Sequence, residues 1–403
     1  MRQFVCFFYQ KESLLSMKQS QTIREYLSAI PPENTATRVA FFLAGFLMAI
    51  WAAMVPFVKV SLGLDEAHLG MVLLCVGLGA LVVMPLCGGI VAKRGAKFLL
   101  NKAFFIVPFL LYGVVFSSNT LLTAALLFVF GMVFGAIDVS MNVHAVEVDR
   151  RSEKRLIAGF HALYSLGSVV GALAMATLLN VGIGLLYAAG VWLLICIIIW
   201  GFSVNSLLPD AGKAQGVSQS FVWPRGFVLW LGLICFSLFM VEGAVLDWGG
   251  VFLVEEKSAA IENAGFAFAA FSTAMTLMRL IGDKLIAYAG PRNCVRYGCL
   301  IGALMLTGCV LLPHVWLVVV LFFALGLGLA NVIPIAFAST ADQNKMPMSL
   351  ALAAVTTLGY AGLLTGPALI GFIAKVTSLS TALLMLAAFL VIVSFSSNIF
   401  RQK

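Results

Sequence analysis

Three acidic residues stand inside otherwise apolar runs, and chemistry is to be sought there first. The stretch MVEGAVLDWGG holds Glu242 and Asp247, and IDVSMNVHAVEVDRR holds Asp138, followed four residues later by Asn142. Charged residues make up only 10% of the 403, so an acid within a long apolar run is a costly placement. A carboxylate there can bind and release a proton. The spacing of four puts Asp138 and Asn142 on one face of a helix. Together they offer an ionisable acceptor and an amide that both donates and accepts, which suits a hydroxyl-rich or amide-bearing solute. Each acid also has a plainer reading as a hydrogen-bonding partner between helices. For Asp247, beside Trp248 and the breaker pair Gly249–Gly250, that reading is a tie for a broken helix end. His144 and His161 titrate in a useful range, but structural pairing with Glu147 or Asp149 is what their positions suggest. His161 stays among the site candidates.

The elements that hold these residues follow from composition. Hydrophobic residues are 62% of the chain, far more than one soluble core can bury. A bilayer can take them up, in spans of roughly 20 mostly apolar residues. Spans are expected at 38–59, 69–92, 99–117, 121–145, 156–178 and 184–203. After a polar break come 226–254, 263–288, 294–313, 316–338, 348–375 and 379–398. The chain thus divides into a tail (1–37), a six-helix half (38–204), a linker (205–225), a second half (226–398) and a short end (399–403). The class is an all-α membrane protein of twelve transmembrane helices.

Of the 25 Lys and Arg, all but Lys59, Lys257 and Lys375 fall on the side of both termini, which predicts cytoplasmic termini. The net charge of +8 is therefore a topology signal rather than a sign of nucleic-acid binding. The first residues, MRQFVCFFYQKESLLSMKQS, lack a small-residue cleavage site, and Met17 is an alternative start to Met1. The eight cysteines form no CxxC pair, and no Cys/His cluster has metal spacing. Neither GxxxxGK[ST] nor HExxH occurs, so neither a cofactor nor a metal is expected.

An offset of 195 residues recurs along the chain. GGIVAKRGAKFLL (88–100) overlays DKLIAYAGPRNCV (283–295), matching Gly95 with Gly290 and Lys97 with Arg292. Gly131 falls on Gly326, Gly167 on Gly362 and Gly171 on Gly366. A six-helix unit used twice places the solute path between its copies. With Gly88, Lys93, Gly95 and Lys97 after the second span, and Arg279, Asp283, Gly290 and Arg292 in the second copy, the sequence resembles the major facilitator superfamily. Ala92 and Ala287 stand where that family's loop carries an acid. The stretches around Asp138 and Glu242 are similar to a bacterial inner-membrane branch near the fucose-permease-type sugar/proton symporters.

The resemblance implies that spans 1, 4, 7 and 10 line a central cavity and that the quoted loops serve as gates. It places Asp138, Asn142, Glu242 and Asp247 on cavity helices, with Trp51 as a stacking surface. On span 10, Asn331 reads as a solute contact, while Pro334 reads equally as a gating kink or as ordinary structure and is no site candidate. The first span carries no acid, and Ile333 is the repeat partner of Asp138, so any acid chemistry is asymmetric between halves. The expected function is secondary active, alternating-access transport of a small polar solute, sugar-like or another small organic, coupled to protons, by a monomer in a bacterial inner membrane. The alternative is a proton-driven exporter of drugs or metabolites; the Gly-Pro pair such exporters carry on helix 5 is missing from GSVVGALA (167–174). A membrane sensor and a membrane enzyme are the remaining classes.

Overall fold

The computed structural model describes residues 31–152, 156–213, 225–342 and 348–400. The alternative starts Met1 and Met17 lie outside them. Among the described residues there are twelve helices long and apolar enough to cross a membrane, and no strand. They are α1 Pro32–Leu62, α2 Glu66–Arg94, α3 Ala96–Phe116, α4 Thr120–Arg151, α5 Ile157–Asn180 and α6 Leu185–Ser203. The second set is α7 Phe227–Glu255, α8 Gly265–Ala289, α9 Pro291–Leu311, α10 in two segments (Val315–Leu329 and Val332–Ala338), α11 Met348–Val376 and α12 Leu379–Ser396.

Helices are the outcome because a chain in hydrocarbon must satisfy every backbone polar group within itself. Local chemistry sets their ends. Asn119 starts α4 by accepting from the Leu121 and Leu122 amides, and Ser378 starts α12 by accepting from Thr381. Helix α1 begins at Pro32, inside the stretch expected as tail, and α4 runs on to Arg151. Hydropathy marks only the buried stretch; a Pro at the first position and polar turns carry each helix beyond it. Helix α7 passes through Gly249 and Gly250 without a break, contrary to expectation. The glycines instead let α7 approach Ala267 of α8 and Ala264 just before it.

The repeat is a repeat of packing. A Cβ on Gly131 would fall on the Val76 carbonyl, and one on Gly326 would meet the carbonyl of Phe271, which lies 195 residues after Val76. Gly167 and Gly362 approach Phe42 and Phe236 in the same way. Close backbone approach of this kind replaces the hydrophobic drive that is absent in lipid. So α1 pairs with α5 and α2 with α4, while α7 pairs with α11 and α8 with α10. Across the halves, α2 meets α11 and α5 meets α8. Trp51, Trp200 and Trp248 are fully buried, whereas Phe202, Phe395 and Trp316 stand exposed on outward faces suited to lipid.

Candidate functional site

The acids that opened the sequence argument lie between the halves. Asp138 of α4 accepts from the Tyr360 hydroxyl of α11 at 3.2 Å, a bond that joins the two halves. Asn142 donates to the same carboxylate at 3.3 Å and to the Asp138 carbonyl at 2.9 Å, so its amide nitrogen is spent locally. Glu242 of α7 faces Arg279 of α8, with Oε1 and Nη2 3.6 Å apart. That distance is beyond a hydrogen bond, and this buried oxygen has no hydrogen-bond partner. Tyr164 of α5 lies within electrostatic reach of both Asp138 and Glu242.

Arg279 occupies this chamber rather than a loop. Its side chain is 40% exposed, and it leaves α8 three residues before the end of the apolar stretch Ile261–Gly282. Pro334 carries no N–H, so the carbonyl of Ala330, four residues earlier, loses its usual helical donor. The Arg279 Nε reaches that carbonyl at 3.5 Å, at the junction between the two segments of α10. Asn331, also at the junction, is buried and packs against Gly282 of α8. His161 is exposed, edge-on to Phe41, and Arg279 acts on it electrostatically across the halves.

Asp247 and Trp51 come together, which their separation in sequence conceals. The buried Trp51 indole lies beside the Asp247 carboxylate, so α1 meets α7 here. Trp51 is 1% exposed and packs on Phe130, so it offers no surface for stacking a solute.

His144 pairs with neither Glu147 nor Asp149. Its Nε2 accepts from the Leu208 backbone N–H at 2.9 Å, so Nδ1 carries the proton and donates to Thr37 Oγ1 at 3.0 Å. Thr37 in turn donates to the Glu33 carbonyl. Glu147 is taken by Arg151, and Asp149 accepts from the Leu156 amide.

The loop motifs hold each half together internally. Gly88 and Lys93 lie within α2, and the turn is made by Gly95 at φ 84°, matched by Gly290 at φ 79° in the second half. Lys97 donates to the carbonyls of Asn205 and Leu207, beyond the end of α6. Arg292 donates to Asn398, beyond the end of α12. The Asp283 side chain lies outside the described residues.

At the face opposite the chain ends, a second charged group joins the halves. Lys59, 7% exposed in the last turn of α1, bonds Glu66 at 2.9 Å and Glu255 of α7 at 2.5 Å. Beside it Lys375 of α11 meets Asp65 at 3.0 Å. The His68 backbone N–H, then Lys375, hold the Asp65 carboxyl well below the usual carboxylate range. Gly70 packs against Gly371, and Gly250 of α7 meets Pro56 of α1. The halves are closed on this face. Hydropathy hides these residues because they sit at helix ends. A signal was nonetheless present: Lys59 and Lys375 are two of the three basic residues on the wrong side of the charge asymmetry. The third, Lys257, donates to the Val310 carbonyl at 2.7 Å.

Comparison with known proteins agrees with this architecture. The sequence profile of the Major Facilitator Superfamily matches residues 38–345. An uncharacterized MFS-type transporter of Yersinia pestis is 38% identical, over 91% of this chain and 95% of that one. The membrane protein MosC of Rhizobium meliloti is 28% identical over 91% and 89%. The crystal structure of a mutant of the nucleoside transporter NupG superposes with a TM-score of 0.77, covering 91% of this chain and all of that one at 14% identity, a likeness of fold. The chain is thus no enzyme: it belongs to the Major Facilitator Superfamily, as a multi-pass transporter of small solutes built from twelve membrane helices.

Proposed function

We propose that the protein is a proton-coupled transporter of a small polar solute, working by alternating access between two six-helix units, 38–204 and 226–398, joined by the linker 205–225. The observation that carries this reading is the Asp138–Tyr360 bond across the halves, 3.2 Å long, beside Glu242 with its unpartnered oxygen. Protonation removes the charge that makes moving a carboxylate past an apolar seam costly. Asp138, Asn142, Glu242 and Arg279 give the chamber a polar lining, which favours a polar solute over the amphipathic cargo of an exporter. Both units lie in one chain, so a monomer suffices. The excess of Lys and Arg supports a cytoplasmic position for the face bearing the chain ends, with the protein in a bacterial inner membrane.

The test is purified protein in liposomes with a trapped pH dye, challenged with sugars, polyols, amino acids and organic acids. A solute-triggered pH change lost in Glu242→Gln or Asp138→Asn is expected. Uptake that stays pH-driven in both variants overturns the assignment.

A further inference from the structure

The Glu242–Arg279 pair constrains what the solute can be. In the described state the Glu242 carboxylate is the counter-charge of Arg279, at 3.6 Å. A proton added to Glu242 deletes that counter-charge and leaves the guanidinium without it inside the span Ile261–Gly282, where an uncompensated charge is costly. The penalty disappears if the solute brings a negative charge of its own. The pair is also built for exchange. Among the described residues the guanidinium has one hydrogen bond, from Nε to the Ala330 carbonyl, and its Nη2 stands 3.6 Å from a carboxylate oxygen, too distant to bond it. Arg279 is partly exposed, and the exposed His161 of the other half lies within its electrostatic reach.

Resting on the reading of Glu242 as a proton carrier, we propose that Arg279 is an anion-binding residue and that the transported solute is a hydroxylated carboxylate, taken up with a proton on Glu242. The solute carboxylate occupies the guanidinium fork that Glu242 vacates, within reach of His161. Its hydroxyl groups extend past Tyr164 toward Asp138 and the Tyr360 hydroxyl. Charge in the chamber is the same before and after loading, because one carboxylate replaces another beside Arg279. Proton and anion therefore bind best together, and the linkage is reciprocal. The titratable and charged groups around Glu242 are Arg279, Tyr164 and Cys235, with the Asp138–Tyr360 pair beyond Tyr164. Among these described groups Arg279 is the permanent cation, and His161 lies in the electrostatic reach of Arg279 from the other half.

The test measures binding to the purified full-length protein by thermal shift between pH 5.5 and 8.5. Glycerate, gluconate and glucuronate are compared with glycerol, sorbitol and glucose. The acids should stabilise the protein and their neutral counterparts should not, and where Glu242 is ionised, affinity for the acids should rise about tenfold for each pH unit lowered. Glu242→Gln imitates the protonated acid, so it should bind the acids independently of pH. Arg279→Gln should weaken them at least tenfold. Stabilisation by the neutral compounds equal to that by the acids, acid binding with no pH slope in the wild-type protein, or no binding of any acid overturns the proposal. Should Arg279→Gln fail to fold, the wild-type pH slope and its loss in Glu242→Gln still decide. The proton-coupling assignment fails separately: proton uptake driven by neutral solutes and lost in Glu242→Gln keeps coupling and sinks the anion, whereas anion uptake without proton movement does the reverse.

Discussion

Two ion-pair groups join or line the halves, and they are built to different standards. At the face opposite the chain ends, Lys59 is nearly buried and bonds two carboxylates at hydrogen-bonding distance. In the chamber, Arg279 stands 3.6 Å from Glu242, partly exposed, and leaves an oxygen without a partner. Their environments explain the difference. Lys59 closes α1 where a helix end welcomes a cation, Glu66 opens α2 where one welcomes an acid, and Glu255 ends α7, where an acid needs the cation beside it. Every charge there has a use in closure. A chamber pair with all its bonds made would have to break them to admit a solute. Full satisfaction marks the part that holds, and partial satisfaction marks the part that exchanges.

The largest expected effect that sharpens this contrast is at Lys59. Lys59→Met leaves Glu66 and Glu255 without their cation, and a cysteine placed at Ala53, 2% exposed beneath the closed face, becomes accessible. Its labelling from that face by a membrane-impermeant maleimide, in a background free of native cysteines, should rise about tenfold, equivalent to about 1.4 kcal/mol. Unchanged labelling would assign closure to the glycine contacts alone.

A smaller effect is expected at the α10 junction. Pro334→Ala returns a donor to the Ala330 carbonyl and releases the Arg279 Nε. Thermal stability should rise, by at most about 3 kcal/mol, while initial transport rates fall several-fold. A faster transporter would show that the junction does not position Arg279.

The smallest effect concerns Asp65. Its carboxyl titrates below the usual carboxylate range in the folded protein. Its stabilising contribution is therefore complete above the unfolded value of about 3.9 and fades only as pH falls through the lower folded value. Between pH 5 and 8, transport profiles of the wild type and Lys375→Ala should superimpose within about twofold, as befits an exposed pair. A new inflection in that range would give Asp65 a larger part than its geometry supports.

Much of the frame was legible in the sequence because it is written in features that local chemistry enforces. Apolar length marks the spans, and glycines at one offset mark where backbones touch. Asp138, Glu242 and Asp247 stood out because acids in apolar runs are conspicuous. Tyr360 did not, since a tyrosine in a membrane helix is unremarkable until its hydroxyl is seen beside a carboxylate. Arg279 was assigned to a loop by its motif, whereas helix α8 carries it into the chamber well before the turn at Gly290. The Trp51–Asp247 contact spans the halves, and no spacing rule reaches that far. His144 was matched with acids on its own helix, but its partners are Thr37 and a backbone amide after α6.

The braces formed by Lys97 and Arg292 have a consequence for anyone wishing to watch the protein work. Each clamps the start of a third helix to the end of a sixth within one half. Under the alternating access proposed above, each half then contains its own ruler: two spectroscopic labels on one half should hold a fixed spacing through the cycle. Labels on opposite halves should report a single tilt, closing on one face as they open on the other, so one distance would suffice to follow the motion.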